Sequence, residues 1–429
     1  GDAALDQQAR YEREYAQFKD LPQPKILAAR ADVDLRPEQL YVQVQGEYRI
    51  ANPHPQPIDQ LHVRTEPLLT LESLEIPGAT LEKDDEALGY RIYRLDPPLA
   101  PGAESTLRFA LSRQERGFGN GIIQTQLVYN WTFFNSALLP QFGYDIGGQI
   151  IDRNERRKRD LGEVPRMAKL EDESAYDRNY LTDDADWIDF STTVCTSPDQ
   201  IALAPGYLVQ EYERSGRRCF DYQMDRPMLP FWAYLSARWA VKKDQWRGLP
   251  IEIYYDPAHQ YNVDNMIAGV QDSLSYFSAN FSPYQHKQVR ILEFPRYASF
   301  AQSFANTIPF SESIGFIADL RDESAIDYVY YVTSHEVAHQ WWAHQVIGAD
   351  VQGSTMLSES LSQYSALMVM EHKYGREKMG KFLRHELDNY LRSRSGELVE
   401  ELPLYRVENQ PYVHYRKGSL VFYRLREEI

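Results

Sequence analysis

The chain has 429 residues, 43% hydrophobic and 25% charged, and carries a formal net charge of −16. That length exceeds one ordinary core and calls for two or three domains. The acidic balance argues against nucleic acid as a partner, and no run approaches the ~18 apolar residues of a membrane-spanning helix.

Residues 1–25 open with a polar, helix-prone arm, "ALDQQARYEREYAQFK" (4–19), punctuated by "LPQPK". From 26 to about 115 apolar and polar residues alternate, as in "LYVQVQGEYRIAN" (40–52) and "GYRIYRLD" (89–96). Asn-Pro, Pro-Gly and Pro-Pro breaks separate these runs, the pattern of an antiparallel β domain. The 30 tyrosines fit an extensive β component. Residues from about 114 to 187 have little periodicity and form too long a stretch for a plain loop, which suits a functional or packing excursion. Its basic run "RNERRKR" (153–159) reads as a solvated face. Strands resume with "WIDFSTTVCTS", "RRCFDYQM", "FWAYLSARWAVKK" and "LPIEIYYDP", so the β region covers 26–247. Cys195 and Cys219 lie in two of these runs. A hairpin-like pairing would join them as a disulfide of an oxidising compartment; two buried thiols are the alternative.

From 248 the pattern turns helical. Met266, Ile267, Val270, Leu274 and Phe277 have helical spacing, and "KQVRILEFP" reads as a strand. A long helix is expected over 322–348, with Gly348 as its stop. A second follows in "SESLSQYSALMVMEHKYG", with Ser358 as N-cap and Gly375 as C-cap. A third lies in "REKMGKFLRHELDNYLRSR". The chain starts at Gly1 and stops inside the amphipathic run "GSLVFYRLREEI", so an excised fragment with an incomplete 248–429 domain is expected.

Within the long helix stands "SHEVAHQWWAHQ" (334–345), holding three of the ten histidines. Positions i and i+4 share a helix face, so His335 and His339 can offer two imidazole nitrogens to one ion. Glu336 is rotated by about 100° from His335 and suits the general base of metal-assisted hydrolysis. The other reading is a helix whose histidines bond to neighbours. The apolar flank "YVYYVTS" implies burial, and buried His and Glu need partners. His344 falls off the His339 face and belongs at the surface or behind a ligand. A catalytic zinc takes three protein ligands and one open position. Glu359, in the first turn of the next helix, faces back toward the pair; Glu371, near its far end, reads as solvated.

H-E-x-x-H-Q-W followed by "LSESLSQYSA" resembles the aminopeptidase N family of gluzincin zinc metallopeptidases, relatives of the leukotriene hydrolases. The resemblance implies zinc bound by His335, His339 and Glu359, with Glu336 as base. Nineteen residues (340–358) separate His339 from Glu359, one more than is usual in the family, and Ser358 takes the usual ligand position. A one-residue insertion in "GADVQGST" restores the register, with Tyr364 following. "IPFSESIGF" (308–316) stands where the family has a G-A-M-E-N-like strand, and keeps Glu312 and Gly315 of that pattern. By resemblance Glu312 pairs with the ammonium of a peptide's first residue and so sets the scissile bond at a fixed distance from it. "VHYRKGSLVFY" (413–423) matches the Y-x-K-G frame, which implies that Tyr415 donates to the oxyanion of the tetrahedral intermediate.

The implied fold is a saddle-like antiparallel β domain over 26–247, then a thermolysin-like, mostly helical catalytic domain over 248–429, truncated at its C-terminus. "LPQPKI" and "VQGSTMLSESLSQYSALMVME" look most like bacterial forms attached to an ABC-type membrane permease. That implies a permease portion of the same longer chain and an extracytoplasmic position. Three functions are thereby open: a zinc aminopeptidase acting on peptides with a free N-terminus, a zinc endopeptidase or other hydrolase without N-terminal selection, and a non-catalytic peptide-binding domain of a transporter.

Overall fold

The computed structural model describes residues 2–115 and 126–429. The chain forms two compact units, one of residues 1–166, 182–204 and 208–236, the other of 167–181, 205–207 and 237–429. The main division therefore falls at 236/237 rather than at 247. Part of the aperiodic excursion, 167–181, joins the second unit.

In the first unit a helix, α1 (Asp2–Tyr15), precedes strands β1 (Lys25–Arg36), β2 (Tyr41–Ala51), β3 (Ile58–Arg64), β4 (Thr70–Glu75), β5 (Ala79–Asp85), β6 (Tyr90–Leu99) and β7 (Glu104–Gln114). Then come β8 (Thr132–Asn135), β9 (Gln141–Phe142), a short helix α2 (Arg153–Lys158), β10 (Ala185–Thr196), β11 (Ile201–Leu203), β12 (Tyr207–Arg214), β13 (Arg217–Gln223) and β14 (Ala233–Ala237). They build a seven-stranded sheet ordered β12-β13-β10-β1-β2-β7-β4, a four-stranded sheet β5-β6-β3-β9 and a three-stranded sheet β11-β14-β8. The large sheet is not wholly antiparallel, because β1 runs parallel to β10. Period-two alternation buries Val42, Val44, Tyr48 and Ile50 of β2 on one face. The arm is not free. Tyr11 of α1 stacks on Tyr144 at 4.9 Å and Tyr15 on Tyr90 at 3.9 Å between ring centroids. The basic run is not uniformly solvated either, since Arg156 is buried and held by both oxygens of Glu12 at 2.9 and 2.6 Å. Cys195 and Cys219 face each other across β10 and β13 and form a disulfide.

The second unit opens with β15 (Ala240–Trp246), which pairs antiparallel with β16 (Leu249–Tyr255) and so belongs here by its hydrogen bonds. The sheet continues through β17 (Val289–Phe294) and β18 (Thr307–Ser311), each parallel to its neighbour. Parallel strands are covered on both faces and read as continuous apolar runs, as "VRILEF" does. Helix α3 (Val263–Asn280) buries Met266, Ile267, Val270, Leu274 and Phe277 against Ile251, Ile253, Val289, Ile291 and Ile308. Four further helices follow: α4 (Tyr328–Ala338), α5 (Leu361–Tyr374), α6 (Met379–Ser395) and α7 (Gly418–Glu428).

The expected 322–348 helix is shorter than its pattern. Asp327 caps it by accepting the Tyr330 N–H, and regular structure ends at Ala338, ten residues ahead of Gly348 (339–348). Tertiary hydrogen bonds take over there. Gln340 Nε2 donates to Phe304 O at 2.9 Å, and its Oε1 accepts Asn306 N–H at 2.8 Å. Gly375 does terminate α5, at φ +86°. Ser358 is not an N-cap, because it lies inside a π turn, Met356–Ser360, that leads into α5. Among the described residues no helix is long and apolar enough to cross a membrane.

Candidate metal centre

Helix α4 and the π turn before α5 bring three side chains together. His335 Nε2 and His339 Nε2 are 3.0 Å apart, and Glu359 Oε2 is 3.3 Å from each. Two ligands about 2.05 Å from a zinc ion at the tetrahedral angle are about 3.3 Å apart, so these three edges fit one face of a zinc tetrahedron. Glu359 Oε2 is buried and accepts no hydrogen bond. His339 Nδ1 lies 2.9 Å from Trp342 O and 3.0 Å from Ser362 Oγ. A carbonyl partner puts the proton on Nδ1 and leaves the Nε2 lone pair facing inward. The His339 Nε2, the His335 Nε2 and a carboxylate oxygen without a hydrogen bond converge in a buried place, where a cation would satisfy all three. The residues therefore fit a zinc ion.

The electrostatics agree. Burial pushes Glu359 up, but His339 and His335 outweigh it and hold the carboxyl well below its ordinary range. Burial pushes His339 down, and the charges of Glu359 and Glu336 more than reverse this, to about 9. Glu336 is lifted by burial, against the pull of the two histidines, as suits a carboxylate that takes up a proton. The end of α4 is fixed by Ser303, whose Oγ donates to Glu336 O at 3.0 Å, and by His344, whose Nε2 lies 2.8 Å from Ser303 O. His344 is thus buried and stands outside the triad. Burial keeps it neutral, lowering its pKa to about 4.

Glu359 lies in the π turn Met356–Ser360 that follows the "GADVQGST" connection. A π turn holds one residue more than an α turn, and such bulges recur at functional sites. Tyr415 also lies in a π segment, Tyr412–Lys417. Its ring centroid is 6.0 Å from that of His335, and burial together with the charges of Glu359 and Glu336 raises its pKa strongly. The two π segments meet where Ser360 Oγ donates to His414 O at 2.5 Å. A Cβ on Gly418 would come within 2.3 Å of that Ser360 Oγ, so the glycine of the Y-R-K-G frame is needed for close approach. Behind Tyr415, the fully buried Glu386 accepts from Arg416 Nη1 at 3.1 Å, Tyr331 at 2.9 Å and Gln363 at 2.9 Å, tying α4, α5 and α6 to this segment. Glu371 is not solvated. It pairs with Arg426 at 2.9 Å and accepts from Tyr423.

Glu312 follows β18 directly and belongs to a second cluster, with His259 and Glu293. Its Oε1 accepts Arg296 N–H at 3.0 Å, and its Oε2 is 3.7 Å from His259 Nδ1. That nitrogen bonds to Glu293, whose other oxygen accepts Asp256 N–H at 2.6 Å. Glu293 is 1% exposed, and burial lifts its pKa to about 7. The three residues lie at the carboxyl ends of the parallel strands β16, β17 and β18, where open sheets of this kind take their ligands. Sequence reasoning missed His259 and Glu293. The available signal was a lone carboxylate inside the apolar run "RILEF".

No family model and no curated protein sequence matches the chain. Solved structures do. An M1 zinc metallopeptidase from Deinococcus radiodurans is similar at TM-score 0.61 and 14% identity, over 96% of this chain and 84% of that one. A two-domain M1 zinc metallopeptidase mutant bound to L-tryptophan gives the same figures. A mutant of the Deinococcus radiodurans protein bound to a Tyr-Ser-Ala substrate gives TM-score 0.59 at 14% identity, with the same coverage. The likeness spans both units and establishes the fold: the chain is built as M1 metallopeptidases are.

Proposed function

We propose that the chain is a zinc-dependent aminopeptidase that removes residues from the free N-terminus of peptides. The observation that carries this reading is the triangle of His335 Nε2, His339 Nε2 and Glu359 Oε2, with edges of 3.0, 3.3 and 3.3 Å, beside Glu336 and Tyr415. Zinc held by these three ligands supplies Lewis acidity to the scissile carbonyl and to the attacking water. Glu336 accepts the proton of that water and returns it to the leaving amine. The Tyr415 phenol, un-ionised at any working pH, donates to the oxyanion as its charge develops. Glu312 pairs with the substrate ammonium through Oε2. The Tyr-Ser-Ala substrate seen on the structural neighbour supports short peptides as substrates. The Cys195–Cys219 disulfide supports an oxidising, extracytoplasmic location.

A second reading, zinc hydrolysis without N-terminal selection, is favoured by one observation: Glu312 already accepts a backbone N–H and stands beside His259, so its charge is partly spent. One peptide offered free and N-acetylated to the zinc-loaded protein separates the two. Cleavage of the free form alone is expected. Equal cleavage of both forms leaves the second reading, and zinc binding without any cleavage leaves the third, a peptide-binding domain.

A further inference from the structure

Residues 167–181 end 147 positions before the first residue of the metal-binding helix (328 − 181) and still belong to the second unit. They are strapped along the connection that separates His339 from Glu359. Ala168 pairs with Val351 and Asn179 with Ala349. Gln352 N–H donates to Ala168 O and Asp350 N–H to Arg178 O, both at 2.8 Å. Arg406 closes the far end on Glu171 at 3.0 Å. The strap ends at Tyr180, whose hydroxyl lies 2.5 Å from Ser358 Oγ.

Ser358 and Glu359 are adjacent in the π turn, and only one of them can face the two imidazoles. Serine is a poor zinc ligand and glutamate a good one. Ser358 is 1% exposed, so a hydroxyl there needs a partner, and Tyr180 is that partner. The phenol is also close enough to Glu359 and Tyr415 for its charge to couple with both.

We infer that Tyr180 is a positioning residue of the metal centre: by holding the Ser358 hydroxyl on the side of the strap, it sets the register of the π turn so that Glu359 faces His335 and His339. This rests on the zinc reading above. Ligand-supporting residues of this kind contribute about 10- to 100-fold to metal affinity when removed.

The test measures zinc affinity by chelator competition, and thermal stability of the zinc-free protein, for wild type, Tyr180→Phe, Ser358→Ala and the double variant. His339→Ala serves as the control for the centre itself. Tyr180→Phe is expected to weaken zinc binding about 10-fold or more, Ser358→Ala to do likewise, and the double variant to be no worse than the weaker single one. Affinity within twofold of wild type in Tyr180→Phe overturns the proposal, even if the melting temperature falls, because the hydrogen bond would then serve the fold alone. If Tyr180→Phe does not fold, Ser358→Ala decides by the same criterion. If His339→Ala binds zinc as tightly as wild type, the zinc reading itself has failed, and that outcome is distinct from any result at Tyr180.

Discussion

In the cluster of His335, His339 and Glu359, the atoms that converge are two ring nitrogens and a carboxylate oxygen that accepts no hydrogen bond. In the cluster of His259, Glu293 and Glu312, both carboxylates accept backbone N–H groups and the imidazole bonds to one of them. The donor atoms are about equally close in the two, all within 4.8 Å of one another. Proximity therefore does not distinguish them; unmet hydrogen-bonding capacity does. The first arrangement leaves an acceptor unmet that a cation would satisfy. The second satisfies itself through backbone N–H groups and His259.

The largest effect is expected where that contrast is sharpest. His339→Ala should abolish stoichiometric zinc and reduce peptide hydrolysis to background, whereas Glu293→Gln should leave zinc at one per chain. Metal analysis of both variants inverts the comparison if the losses are exchanged. Glu336→Gln should keep its zinc and lose about 10³-fold in kcat, since it removes only the proton acceptor. A variant that loses zinc as well would make Glu336 part of the coordination. Glu312→Gln should lower kcat/KM for a free-amine peptide by about 30-fold, ~2 kcal/mol, and leave an N-acetylated peptide unaffected. Equal effects on both peptides would detach the second cluster from the substrate's amine.

A buried histidine with no carboxylate beside it sharpens the comparison from the other side. His62 in β3 is 1% exposed, bonds to Tyr90 OH at 2.7 Å, and is lowered by burial to about 4. Its folded pKa is thus depressed below the unfolded value near 6.5. The stability it contributes is whole above pH 6.5 and is lost as pH falls through the window from 6.5 to 4. The slope there is at most about 1.4 kcal/mol per pH unit. His62→Gln should flatten the decline of stability with acid in urea melts between those values. An unchanged slope would mean that His62 titrates as if exposed.

Much of the centre was legible because its chemistry is local. H-E-x-x-H needs only helical spacing to face two imidazoles one way, and that spacing survives although α4 ends just before His339. Glu359 was reached from its place in the first turn of the next helix and then matched by resemblance, whereas Glu312 and Tyr415 were reached by resemblance alone, since no spacing rule joins them to the pair. The length of α4 was misjudged because the apolar pattern continues past Ala338 while Gln340 and His344 bond to the 303–306 loop instead. Tyr180, His259 and Glu293 were missed for a related reason. Their partners are distant in sequence, and a tyrosine in an aperiodic stretch or a glutamate in a strand carries no sign of the side chain it will meet.

The link between Cys195 and Cys219 has a consequence for how the chain comes apart. The two are 24 positions apart, and the peptide between them includes the β12–β13 turn at Ser215 and Gly216. A protease that cuts anywhere in this loop leaves both pieces covalently joined. Nicked molecules would run as intact chains on a denaturing gel and separate into two fragments only after a reductant is added.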